Sequence, residues 1–261
     1  MKANEIMNEL FALAREYEIK NTCDTCKAGD PEREVSRVGV TMFPTPDVIR
    51  AAAEWGAELL IVHEPAYYNH MDVHSDEVQE CEKRRLIDDT GMTVFRFHDH
   101  PHTTDPDMIS QGQFNRFGLS GRVDNRGGKY PARLYLENPM TPLEVAKLIE
   151  ERCGIKHVRI CGTRDLPCSE ISGMFGSPSG TFDELKSDEC EIMLIGEVCE
   201  WRDCEYARDA AQLGRKKAIL ILGHVGSERD GMVYMAEVLR NMHPELEVKY
   251  FESGEVYTYT D

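Results

Sequence analysis

Residues 38–65 read VGVTMFPTPDVIRAAAEWGAELLIVHEP. Val38–Phe43 has the composition of a short strand. Thr45-Pro46 then carries the signature of a helix start: a hydroxyl that can accept a backbone N–H, and a proline whose missing N–H costs nothing in the first turn. Gly56 suits the left-handed position that closes a helix. Leu59–Val62 is apolar at every position, as expected of a strand covered on both faces. The stretch therefore predicts strand, helix, strand. It delivers His63-Glu64-Pro65 at the carboxyl end of the second strand.

The same grammar extends outward. Towards the N-terminus, residues 3–17 place Ile6, Leu10, Leu13 and Ala14 at helical spacing. Gly29-Asp30-Pro31 reads as a turn. Beyond the quoted stretch, 76–90 is a charged helix stopped by Gly91, Met92–Phe97 a strand, and 106–117 a helix ending at Gly118. This βαβα order implies a parallel sheet with helices packed on it. Ser120–Lys129, polar and containing Gly127-Gly128, reads as the link between two halves, 1–125 and 126–261. The second half continues with strand 131–136 and a helix from Thr141-Pro142. Strands follow near 156–160, 170–175 and 191–195, then a helix over 201–213 closing on Gly214. Strand Lys217–Leu222, helix 227–241 and strand 246–251 complete it.

Composition narrows the function. The 261 residues carry 30 Lys and Arg against 47 Asp and Glu, a net charge of −17. Such a field repels a phosphate backbone and argues against nucleic acid as a partner. No apolar run is long enough to span a bilayer, so no membrane is expected. The N-terminal MKANEIMNEL lacks the continuous apolar stretch of a signal peptide. Nine cysteines, an odd number, then read as reduced thiols in a cytoplasmic protein. Cys23-Asp24-Thr25-Cys26 has zinc or redox spacing, but no second pair completes a four-ligand site. No Walker-type phosphate loop is present, against an NTPase of that kind.

Three strands end in potential ligands. Leu59–Val62 runs into His63-Glu64; Met92–Phe97 into His98-Asp99-His100-Pro101-His102; Ala218–Leu222 into Gly223-His224, with Glu228 four residues on. In open α/β sheets, sites form at the carboxyl ends of strands. Imidazole with carboxylate suits Zn, Mn, Fe, Co or Ni. If the middle segment is extended, His98, His100 and His102 share one face and Asp99 takes the other, with Pro101 bending it. Gly226 and Ser227 place the start of the last helix between His224 and Glu228, with His224 on the turn. So many ligands exceed one four-coordinate site and suggest two ions sharing a carboxylate, Glu64 or Glu228, able to activate a water for hydrolysis. His70, Asp72 and His74 in the loop after the first motif, and Glu197 after the strand at 191–195, are candidates for acid–base roles. His157 and His243 have no adjacent ligand type and read as structural. Met232, Met235 and Met242 read as core.

These motifs resemble the NIF-three-like proteins, often labelled GTP cyclohydrolase I type 2 homologues. Asp24 with Lys27-Ala28-Gly29-Asp30-Pro31, a strand and Thr45 is similar to the family's opening. Gly56–Pro65 is similar to its first metal motif, and Gly223-His224 with Ser227-Glu228 to its last. The resemblance implies two α/β halves with mixed, largely parallel sheets and a metal cleft between them, assembled as a hexamer. It also implies a dinuclear centre of two divalent metal ions on His63, Glu64, His102, His224 and Glu228. His98 matches a family histidine that is followed four residues later by an aspartate, where this chain has His102. Many members have a second histidine where this chain has Glu64. The expectation is a metal-dependent hydrolase of a nucleotide-like or heterocyclic small molecule, with Glu197 and His70 as catalytic groups. The alternative is a non-catalytic metal-binding protein acting as carrier, reservoir or regulatory scaffold.

Overall fold

The computed structural model describes residues 1–127 and 131–260. In chain order the first part is α1 (Ala3–Phe11), β1 (Cys26–Ala28), β2 (Arg37–Thr41), α2 (Pro46–Trp55), β3 (Leu59–Val62), α3 (Val78–Thr90), β4 (Thr93–Arg96), α4 (Asp99–Thr103) and α5 (Met108–Phe117). It continues with β5 (Gly121–Asp124), β6 (Ala132–Met140), α6 (Pro142–Cys153), β7 (Arg159–Gly162), β8 (Cys168–Met174), α7 (Thr181–Lys186) and β9 (Ile192–Ile195). A five-residue π-turn (Glu200–Cys204), α8 (Glu205–Gln212), β10 (Ala218–Ile221), α9 (His224–Met242) and β11 (Glu247–Phe251) complete the chain.

Two compact units result, Met1–Ile109 with Met232–Gly254, and Ser110–Gly231 with Glu255–Asp261. The chain crosses between them at 109/110, 231/232 and 254/255, and its last strand lies in the first sheet.

The first unit's sheet has the order β1-β4-β3-β2-β11. Its pairs β11·β2, β2·β3 and β3·β4 are parallel and β1·β4 is antiparallel. α2 forms where the sequence places it: Thr45 Oγ1 accepts the Val48 N–H at 3.2 Å, and Gly56 closes the helix at φ +85°. Its buried face, Val48, Ile49 and Ala52, packs against Leu60, Val62, Val94 and Phe251 of the sheet.

The second unit's sheet has the order β5-β6-β8-β9-β10-β7 and is mixed. β8·β9 and β9·β10 are parallel; β5·β6, β6·β8 and β10·β7 are antiparallel. Both faces are covered. Ile192, Leu194 and Leu220 meet α6 through Val145, Ala146 and Ile149. Met193, Ile195 and Ile219 meet Leu185 of α7 and Ala207 of α8. This alternation explains why β9 and β10 read as unbroken apolar runs.

Five local readings are corrected. α1 stops at Phe11 rather than 17, because Leu13 and Tyr17 are exposed and have no core to meet. Residues 99–103 form a short helix, not an extended segment. α9 begins at His224 itself: Gly223, at φ +82°, turns the chain, and the Ser227 N–H closes the first helical turn on the Gly223 carbonyl at 3.0 Å. The helix expected over 201–213 opens as the π-turn. Finally, the presumed link 120–129 contains β5, paired with β6, while Gly128 and Lys129 lie outside the described residues. β1 and α7 had no sequence signal that marked them.

Candidate metal centre

In the first unit, His63 and Glu64 follow β3, His98 follows β4, and His102 lies in α4. α4 exists because Asp24 accepts the backbone N–H groups of His98 (2.7 Å), Asp99 (3.1 Å) and His100 (2.8 Å). Burial pulls the Asp24 pKa up, but the bonds from His100 and the backbone outweigh it and hold the carboxyl below its ordinary value. Pro101 fits because it falls in the first turn, where no N–H is needed. Residues four apart share a helix face, so His98 and His102 stay together, with ring centroids 5.8 Å apart. His63 lies 4.7 Å from His98 and 5.4 Å from His102.

His100 belongs elsewhere. It stacks on Phe11 at 4.3 Å. Its Nδ1 meets Asp24 Oδ2 at 2.7 Å and its Nε2 meets the Tyr17 carbonyl at 3.0 Å. Both acceptors demand an N–H, so the ring is held as imidazolium with no lone pair for a cation. Burial lowers its pKa, but Asp24 and the carbonyl more than offset this and raise it.

The other imidazoles share a different pattern. His63 Nδ1 donates to the Phe97 carbonyl at 3.0 Å. His98 Nδ1 meets Asp99 Oδ1 at 2.9 Å, and Asp99 is itself fixed by Thr22 Oγ1 at 2.8 Å. His102 Nδ1 meets Asp107 Oδ2 at 3.2 Å. Each bond fixes the tautomer and leaves Nε2 as the ligand atom, as in metal-bound histidines. Ligand atoms of His63, Glu64 and His98 lie within 4.8 Å of one another. His63 is 0% exposed. Burial first, then repulsion from His98 and His102, pushes its pKa well down and keeps it in the neutral, metal-binding form. The buried Arg96 pins the loop after β3. Its Nε donates to the His63 carbonyl at 3.0 Å, Nη1 donates to the His70 carbonyl, and Nη2 lies 3.7 Å from Glu64 Oε2.

In the second unit, His224 opens α9. Its Nδ1 meets Glu197 Oε1 at 2.6 Å, and its Nε2 lies 3.2 Å from Glu228 Oε2. Gly176, at φ +65°, leaves room for that carboxylate, since a Cβ there would lie 2.5 Å from Glu228 Oε1. Ser227 Oγ accepts the Gly176 N–H at 2.9 Å and donates to the His224 carbonyl at 2.9 Å. His224 and Glu197 line a cleft of about 250 Å³ together with Arg159, Glu200, Val256 and Tyr257.

Comparison with known proteins agrees with these motifs. The sequence profile of Duf34/NIF3 (NGG1p interacting factor 3) matches residues 1–255. The chain belongs to the Duf34/NIF3 family. It is 23% identical over 253 residues to a GTP cyclohydrolase 1 type 2 homolog from Clostridium perfringens, covering 92% of each chain. Among solved structures, the fold resembles a Bacillus cereus protein related to NIF3 (TM-score 0.78, 13% identity, 100% of this chain and 99% of that one). It also resembles a Staphylococcus aureus hypothetical protein (TM-score 0.75, 15% identity, 99% of each).

Within this Duf34/NIF3 chain the donors expected from sequence form a set within each unit: His63, Glu64, His98 and His102 in one, His224 and Glu228 in the other. Imidazoles with carboxylates fit a divalent first-row cation. The loop candidates separate. Asp72 is committed to Lys27 at 3.3 Å and Arg96 at 3.4 Å, and His74 packs edge-on to Tyr67 at 4.8 Å. His70 is exposed, its ring 5.4 Å from that of His98. Asp107 and Arg96 were not anticipated. Asp107 follows His102 by five residues, a spacing without meaning until α4 turns it back. Arg96 ends β4 with its side chain buried, and a buried cation there demands carbonyl and carboxylate partners.

Proposed function

We propose that this Duf34/NIF3 protein is a dinuclear metal-dependent hydrolase of a nucleotide-like or heterocyclic substrate. The proposed ligands of two divalent ions are His63, Glu64, His98 and His102 with His224 and Glu228. The supporting observation is the shared state of four imidazoles: His63, His98, His102 and His224 each commit Nδ1 to a carbonyl or carboxylate.

Bound ions would supply Lewis acidity, polarising a substrate oxygen and acidifying a water. The chain's own groups do the rest. Glu197 orients His224, and its carboxylate, 56% exposed, faces the cleft, where it is proposed to take up a proton. His70, beside His98, is proposed to deliver one. The substrate class rests on the name of the clostridial relative. A cytoplasmic homo-hexamer completes the proposal, and light scattering on the purified protein checks its assembly.

The test is metal analysis of purified protein with a hydrolase screen over nucleotides and heterocycles in Zn, Mn, Fe, Co and Ni. A loss of two bound equivalents in the His63→Ala plus His224→Ala variant, relative to wild type, is expected. Unchanged metal content in that variant would overturn the proposal. A carrier or reservoir is the second reading, favoured by the burial of Glu64 and Glu228, 6% and 3% exposed, since storage sites are closed. Full loading without turnover in the screen supports it.

A further inference from the structure

The Cys23–Cys26 pair does not act as a pair. Cys26 Sγ turns to the Ala28 carbonyl at 3.2 Å. Cys23 is fully buried, with Sγ 3.7 Å from Asp99 Oδ2 and 3.7 Å from Asp24 Oδ1. The fold brings His70, from the loop after β3, to the same place: ligand atoms of Cys23, His70 and Asp99 lie within 4.8 Å of one another. These residues are separated by 47 and 29 positions in the chain, so no spacing in the sequence announces the group.

We infer that Cys23, His70 and Asp99 form a mononuclear site for a thiophilic divalent cation of the zinc type, separate from the proposed hydrolytic ions. Sulfur, imidazole and carboxylate are the three donor types zinc accepts, and the thiolate distinguishes this site from one built of imidazoles and carboxylates alone. Each donor is supported. Asp99 gives Oδ1 to His98, while Oδ2 accepts from Thr22 Oγ1 at 2.8 Å, the Cys23 N–H at 3.3 Å and the Cys23 thiol at 3.7 Å; a cation would take the place of the thiol proton on that oxygen. His70 is anchored through its carbonyl by Arg96, so its exposed ring is the movable arm. On binding, a sulfur–metal bond replaces the thiol S–H bond. The proton leaves to solvent, hydration waters leave the cation, and a fourth tetrahedral position stays open to water. With His70 bound, the imidazole that the hydrolase proposal uses for proton delivery is occupied. A thiophilic cation would therefore brake turnover without displacing the hydrolytic ions.

The experiment is a Co2+ titration of the full chain, read by the near-ultraviolet thiolate-to-cobalt charge-transfer band. One equivalent giving that band is expected in wild type. It should be abolished in Cys23→Ala and in Cys23→Ser and retained in Cys26→Ala. The serine variant keeps the side-chain volume should the alanine variant fail to fold. The band should also survive His224→Ala, so the site stands or falls independently of the hydrolytic centre. Absence of the band in wild type, or its persistence in a folded Cys23 variant, overturns the inference.

Discussion

A histidine becomes a ligand or a strut according to where its second nitrogen goes. His63, His98 and His102 each set Nδ1 against a carbonyl or carboxylate; His100, two residues from two of them, sets Nδ1 on Asp24 and Nε2 on the Tyr17 carbonyl. The orienting acceptors are thus expected to matter almost as much as the ligands. Asp107→Ala removes the partner of His102 Nδ1 and should weaken metal affinity by about 10–100-fold. Competition against a chromogenic chelator measures this, and an unchanged affinity would remove Asp107 from the site. Lys83 makes a second point about single side chains. It is 7% exposed, lies 5.0 Å from the Tyr68 ring, and burial pushes its pKa down to about 8. A lysine whose folded pKa is lowered costs stability below that value, where the fold must hold it protonated. Between about pH 8 and the unfolded value of about 10.4, the unfolded chain binds more protons and stability rises with pH. Lys83→Met should abolish that rise and stabilise the protein at pH 7 by on the order of 2 kcal/mol. Urea unfolding at pH 7 and pH 10 tests both signs.

At the scale of the element, α4 shows how five residues decide a site. Read as an extended run, the segment puts His98, His100 and His102 on one face. Wound on Asp24, it keeps the first and last together and sends the middle one to Phe11. Asp24→Ala removes the acceptor of three backbone N–H groups and should release α4. Metal binding should be lost while far-ultraviolet circular dichroism barely changes, since the helix is so short. Retained binding would show that α4 is held by other contacts. The regular elements were legible because their signals are local: Thr45 and Gly56 bracket α2, and the apolar run Leu59–Val62 is β3 residue for residue. α4 was not, because its cap lies some 75 residues upstream and a carboxylate's distant partner leaves no periodicity. The start of α9 was misread for a related reason. Gly226 suggested a turn, whereas Gly223 makes it, and the small residue at 226 instead lies against Ile155. Strand ends, where chemistry gathers, were visible; which nitrogen of each histidine is spent required the fold.

Across the whole molecule, a net charge of −17 and two sets of imidazole and carboxylate donors set an expectation: any cation that the fold holds adds to its stability. Ligands that bind only the folded state stabilise it by RT ln(1 + [L]/Kd), about 2.7 kcal/mol at a hundredfold excess over Kd. Chelation is therefore expected to lower the melting temperature, and restoring a bound metal to recover it, by calorimetry at fixed ionic strength. An equal midpoint with and without chelator would mean that no cation of consequence is held.

The pairing of β11 with β2 also sets an order on biogenesis. While a ribosome is still making the second unit, β2 has one bare flank, and nothing before residue 247 can cover it. An uncovered strand invites pairing with other chains. Synthesis of Glu247–Phe251 is thus what covers that flank of β2, and translation products interrupted before it should be recognised by chaperones as incomplete.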